Sequence, residues 1–136
     1  MNEDNKKIVQ QAYENFKNGD LPALLDLFSD DFDFRLPKID NMPWFGSRKG
    51  REATAEFFQT LAKEQEALTF NPREYFTQGD RVVALGDYTW RATATGKEFG
   101  SDWAHVWIVK NDKLVGFQEY ADTAANSKAH QTADGA

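Results

Sequence analysis

The sequence predicts an α+β fold, with three N-terminal helices packed on a curved, mostly antiparallel sheet. Two observations predict it. Apolar residues recur at helical spacing up to about Glu66, broken only by a short alternating run at Phe32–Leu36, and alternate in strand fashion from Leu68 onward. The second is the stretch Ser101–Val109. Trp103, His105, Trp107 and Val109 would point one way, and Ala104, Val106 and Ile108 the other. Both faces are apolar, so this is read as a central strand covered on both sides.

The elements follow in order. Asp4 or Asn5 can cap a first helix running to about Asn18, with Ile8, Val9, Ala12, Tyr13 and Phe16 on one face. Gly19 ends it, and Asp20 caps a second helix with Pro22 in its first turn. Leu24, Leu25, Leu27 and Phe28 form its buried side, and Ser29-Asp30-Asp31 breaks it. Phe32–Leu36 alternates as a short strand. The loop from Pro37 to Ser47 carries Met42, Trp44 and Phe45, which suits either packing on the core or a lid over a pocket. Arg51–Glu66 reads as a third helix with Ala53, Phe57, Phe58, Leu61 and Ala62 inward. A meander completes the fold. Its strands are Leu68–Gln78, with Pro72 marking an edge or bulge, Arg81–Ala94, the Ser101 strand, and Leu114–Ala121. Residues 1–125 then form one domain, and the small polar residues 126–136 form a frayed tail.

With 136 residues there is room for one domain with a real core. An apolar content of 40% and an aromatic content of 14% argue for globular folding and supply enough rings to line a cavity. The net charge of −6, without clustered Lys and Arg, argues against nucleic acid and against an anionic membrane surface. Absence of cysteine excludes disulfides and thiolate chemistry. Two histidines cannot build a metal site of the usual ligand count. The polar, acidic N-terminal residues and the absence of a long apolar run make a cytoplasmic protein the expectation.

A two-residue turn at Gly96-Lys97 would set Trp90 opposite Trp103 and Tyr88 opposite His105, an aromatic wall with a Tyr–His pair in it. The last hairpin is open to two readings. A two-residue turn at Asn111-Asp112 puts Gln118 on the face of His105. A three-residue loop with Asp112 left-handed puts Glu119 there, with Val115, Phe117 and Ala121 inside and Gln118 and Tyr120 out. The second buries more apolar surface. A carboxylate beside an imidazole in an apolar cavity can move protons near neutrality, or can be a structural hydrogen bond.

Several strings then resemble a known family. They are Tyr13-Glu14-Asn15-Phe16-Lys17-Asn18-Gly19-Asp20-Leu21, Leu27-Phe28-Ser29-Asp30-Asp31-Phe32, Gly50-Arg51-Glu52-Ala53, His105–Val109 and Glu119–Ala125. The chain resembles the SnoaL-like and ketosteroid-isomerase-like members of the NTF2-like superfamily from about Ile8 to Ala125. The resemblance implies a cone of curved sheet closed by helices, with one deep pocket and commonly a homodimer. The isomerases' first-helix tyrosine falls on Ala12, their general-base aspartate on Leu36, and their second oxyanion donor on Trp103 or His105, so steroid isomerisation is not expected. The polyketide cyclases match better: their general base falls on Glu119 and a pocket histidine on His105. The epoxide-hydrolase pattern finds no match, because Arg91 lies on the other face.

The expected function is binding of a small hydrophobic molecule, with cofactor-independent isomerase or cyclase chemistry beside a carbonyl. Glu119 would take the proton and His105, with Tyr88, would hold the enolate oxygen. Trp44, Trp90, Trp103, Trp107, Phe34 and Phe117 would hold the ring. The alternatives are a non-catalytic binding module and a surface-acting protein with a filled core. The apolar outer face formed by Val83, Leu85, Val106, Ile108 and Tyr120 implies a homodimer.

Overall fold

The computed structural model describes residues 2–132. Helices α1 (Asn2–Lys17) and α2 (Leu21–Asp26) open the chain. Gly19 joins them at φ +70, with its N–H on Phe16 O and that of Asp20 on Asn15 O, the paired bonds that close a helix at a left-handed residue. Asp20 then caps α2 by accepting from Ala23 N. Strand β1 (Phe28–Arg35), the two-residue β2 (Arg48–Lys49) and helix α3 (Arg51–Glu64) follow. Strands β3 (Gln65–Gln78), β4 (Arg81–Ala92), β5 (Glu98–Lys110) and β6 (Lys113–Ala121) form the meander, and α4 (Thr123–His130) closes it.

The α+β plan holds, with one change in helix placement. As the order of elements required, α1 and α2 precede the first strand and α3 follows it; the change is a fourth helix at the C-terminal end, so the helices are not three N-terminal ones. All six strands form one sheet in the order β2-β1-β6-β5-β4-β3. The β1–β6 pair is parallel and the rest are antiparallel. Strand β5 is central, as its two apolar faces required. Strand β3 is an edge, and Pro72 sits at a bulge in it. Among the described residues no helix is long and apolar enough to cross a membrane.

Sequence spacing misplaced several boundaries. Residues Ser29-Asp30-Asp31 lie within β1, whose pairing with β6 is irregular there. Strand β3 begins at Gln65, inside the expected third helix, and Ala62 is exposed while Thr54 is fully buried. The expected tail is α4 up to His130. Asp122 caps it from Ala125 N, and Asn126 and Ala129 are buried. Residues 133–136 lie outside the described residues.

The β4–β5 hairpin corrects the expected cross-strand pairs. Its connection runs over 93–97, closed by Ala92 N to Lys97 O and Gly96 N to Ala92 O, with Gly96 at φ +72. Trp90 therefore faces Phe99, Tyr88 faces Ser101, Gly86 faces Trp103, and Ala84 faces His105. The displacement is an even number of residues. Side chains alternate with period two, so every residue keeps its predicted face and changes only its partner.

At β5–β6 the predicted outcome stands, through a different device. Asn111 (φ 52) and Asp112 (φ 61) form a two-residue turn with Lys110 opposite Lys113. Taken alone, that turn would put Gln118 opposite His105. A bulge at Val115, between the pairs Val109–Leu114 and Ile108–Gly116, shifts the register by one and sets Glu119 opposite His105. Leu114, not Val115, is then the fully buried residue, and Phe117 is also buried. Without the bulge, Leu114 and Phe117 would fall on opposite faces.

The core lies between the concave sheet face and the helices. Val9, Ala12 and Tyr13 of α1, Phe57 and Leu61 of α3, and alternate residues of β4 and β5 meet there. Phe28 and Phe32 stack in parallel at 4.1 Å. On the convex face Arg91 pairs with Glu66 and Glu98, away from the core.

Candidate functional site

The concave face encloses an apolar cavity of about 90 Å³, lined by Phe34, Tyr88, Trp90, Trp107, Phe117, His105 and Glu119 among others. A larger groove of about 540 Å³ lies beside it, between the end of α1, α3 and β3. The two share Phe16, Leu24, Phe58, Leu61, Gln65, Phe70 and Trp90 as lining. A cavity of roughly 150 Å³ is what benzene occupies in an apolar protein core. The inner cavity thus takes less than one ring as it stands, and a larger ligand must extend toward the groove.

One continuous hydrogen-bond chain runs through the lining of the inner cavity. Trp107 Nε1–H donates to Tyr13 Oη at 2.8 Å. An indole nitrogen only donates, so the Tyr13 hydroxyl accepts there and turns its own proton to His105 Nδ1, also at 2.8 Å. The histidine proton then lies on Nε2 and faces Glu119 Oε2 at 3.1 Å. Each member is placed by local structure: Tyr13 by the buried face of α1, His105 and Trp107 by alternation on β5, and Glu119 by the Val115 bulge. Burial keeps the Tyr13 hydroxyl protonated by pushing its pKa well above the usual tyrosine range. Burial also pushes His105 below its usual value, against an opposing pull from Glu119, and so favours the neutral ring.

A second group stands beside it. Asn126 Nδ2 donates to Tyr88 Oη at 3.0 Å and to Asp122 O at 2.9 Å. Desolvation, aided by the Glu119 charge, raises the Tyr88 pKa, so this phenol keeps a proton to donate.

The expected residues do not all meet. His105, Glu119, Tyr88, Trp90, Trp107, Phe34 and Phe117 line the inner cavity; Trp103 and Trp44 do not. Trp103 stacks on His105 (4.0 Å, 16°) and on Phe70 (5.1 Å, 13°), two rings that are themselves 6.5 Å apart, and so supports the imidazole plane. Trp44 packs on Phe45, Phe57 and His130, so in this loop Phe45 reaches the cavity, while Met42 is core. Tyr88 does not bond His105; Tyr13 does. Three polar lining residues were missed. Tyr13 read as part of a core stripe, although a buried phenol needs a partner and so signals a site. Asn126 lay in the supposed tail, and Gln65 in the supposed helix.

The neutral histidine has a consequence for stability. An unfolded histidine binds its proton near 6.5, and the folded one does so only at lower pH. Between those values the unfolded chain holds more protons, so stability falls as pH drops below about 6.5 and levels off below the folded value. Thermal melts from pH ~7 to ~5 should show a loss in the wild type that His105→Gln reduces. Equal slopes for both proteins would refute the neutral assignment.

The SnoaL-like domain family matches residues 9–117, and the chain belongs to that family. Its fold is that of an NTF2-like protein from Burkholderia xenovorans, with a TM-score of 0.86 at 28% identity over 96% of this chain and 98% of that one. An NTF2-like protein of unknown function from Burkholderia pseudomallei gives a TM-score of 0.85 at 27% identity, over 95% and 98%. TerC, solved with polyporic acid, gives 0.82 at 23% identity over 95% and 99%, a likeness of fold. None of the curated proteins compared matches the chain.

Proposed function

We propose that this protein binds a small hydrophobic carbonyl compound and moves a proton beside its carbonyl without a cofactor. The observation that carries this is Glu119. His105 fixes one of its oxygens, while the carboxylate stands in the wall of an apolar cavity. Among the described residues no side chain hydrogen-bonds its other oxygen. That oxygen would take a proton from the carbon next to the carbonyl, and the electron pair would move onto the carbonyl oxygen. The Tyr88 hydroxyl, held by Asn126, would donate to the enolate oxygen so formed. Glu119 then returns the proton to carbon, as in an isomerisation, or the enolate carbon attacks a second carbonyl, whose π electrons pass to its oxygen and whose oxygen takes the proton from Glu119, as in a cyclisation. His105 has both ring nitrogens engaged, so it is a positioning residue for Glu119 here, in place of the enolate-binding role expected from sequence.

The test is exchange of the α-protons of β-tetralone in heavy water. Protein-catalysed deuterium uptake supports the reading, and bound ketone with only background exchange overturns it. The second outcome would favour binding without chemistry, which the almost wholly apolar lining around one closed hydrogen-bond chain also suits.

We also propose that the protein pairs with a second copy through its convex face. Tyr120 and Phe76 are 58% and 54% exposed there, and Val83, Leu85, Val106 and Ile108 are half-buried in the single chain. A monomer mass in light scattering at micromolar concentration would refute it.

A further inference from the structure

Gln65 is the first residue of β3 and caps the C-terminal end of α3, its N–H on Leu61 O. The residue is 5% exposed, and its Oε1 is buried without a hydrogen-bond partner. Most other polar side chains of the inner cavity pair with one another: Tyr13 with His105 and Trp107, one Glu119 oxygen with His105, Tyr88 with Asn126. Gln65 lines both the inner cavity and the groove. Glu119, His105, Tyr13 and Tyr88 line only the inner cavity. A buried amide oxygen with no partner is unfavourable, and because Gln65 lines both spaces a rotation of its side chain would offer that oxygen to a donor entering there.

We propose that Gln65 is the second polar anchor of the binding site, and that the ligand carries a hydroxyl at the end away from the carbon Glu119 addresses. This rests on the reading of the cavity as a ligand site and adds the ligand's chemistry to it. A molecule reaching both Glu119 and Gln65 must pass from the inner cavity into the shared wall formed by Phe16, Phe58, Phe70 and Trp90. That wall is aromatic, so the span between the two polar ends is a flat or alicyclic hydrocarbon. A hydroxyl suits the anchor better than an amine or a carbonyl. It donates to the amide oxygen and, if the amide turns over, accepts from the amide nitrogen. The ligand class is a hydroxylated ring compound, a phenol or a cyclic alcohol, with its reactive carbonyl at the far end.

The test uses para-phenylphenol and biphenyl, which differ only by the hydroxyl, with dissociation constants from tryptophan fluorescence. The wild type should prefer the phenol roughly tenfold, a typical worth for one hydrogen bond to an otherwise unpaired buried group. Gln65→Leu should bring the ratio of the two dissociation constants near one. Gln65→Met, close in length, gives the same reading should the leucine variant fold poorly. An unchanged preference for the phenol in both variants overturns the role of Gln65, and so does a wild type that binds the two probes equally. A wild type that binds neither probe overturns the cavity reading itself and this inference with it, an outcome told apart by the biphenyl measurement alone.

Discussion

Glu119→Gln should slow deuterium exchange into β-tetralone by about 10²- to 10⁴-fold, the range that a positioned general base contributes. The effect should fall on chemistry and leave binding intact. An amide has nearly the shape of a carboxylate, and its oxygen can still accept from His105 Nε2–H, the bond now seen at 3.1 Å. The cavity lining and the Tyr13–His105–Trp107 chain are therefore retained, and affinity for the ketone should change little. What the amide lacks is a basic oxygen. Turnover that survives the substitution would remove Glu119 from the reaction, while turnover and binding lost together would point to collapse of the site.

Gly86→Ala should destabilise the fold by more than about 3 kcal/mol, beyond the usual range for added volume in a packed core. Gly86 faces Trp103 across the β4–β5 ladder. A methyl group built there lies 2.3 Å from Trp103 Cζ2 and 2.4 Å from Asn71 O. Neither neighbour can withdraw cheaply. Asn71 O is backbone of the adjacent strand. The Trp103 ring stacks on both Phe70 and His105, and the residue is 3% exposed. The missing side chain at position 86 is what lets the indole lie across β4 and support the imidazole. Denaturant melts of the variant measure the loss, and a stability within ~1 kcal/mol of the wild type would show that the sheet opens there at little expense. Any variant that does fold should also show a displaced His105 and reduced exchange activity.

These two residues illustrate different kinds of legibility. Glu119 could be found from sequence because it lies in a strand whose apolar pattern favours one register. Its pairing with His105 still depended on a one-residue choice that composition alone leaves open. Leu114 and Phe117 are an odd number of residues apart, so both reach the core only through a bulge between them, and that requirement was present in the pattern. Gly86 gave no such sign. A glycine within a strand marks a bulge or a close approach, but which side chain approaches depends on the partner strand's register.

By itself the sequence determined the α+β class, the central place of β5 and the face on which each β4 and β5 residue lies. These follow from local periodicity, helix caps and turn residues, which act over a few residues. Tertiary structure alone decided which residues touch. The five-residue β4–β5 connection replaced Tyr88 with Ala84 opposite His105, and the packing of α1 on the sheet brought the Tyr13 hydroxyl to the imidazole. Docking of α4 carried Asn126 to Tyr88, and the early end of α3 put Gln65 into the cavity wall. Such contacts join residues as far as 94 positions apart, and loop length and helix packing set them, neither of which local patterning encodes.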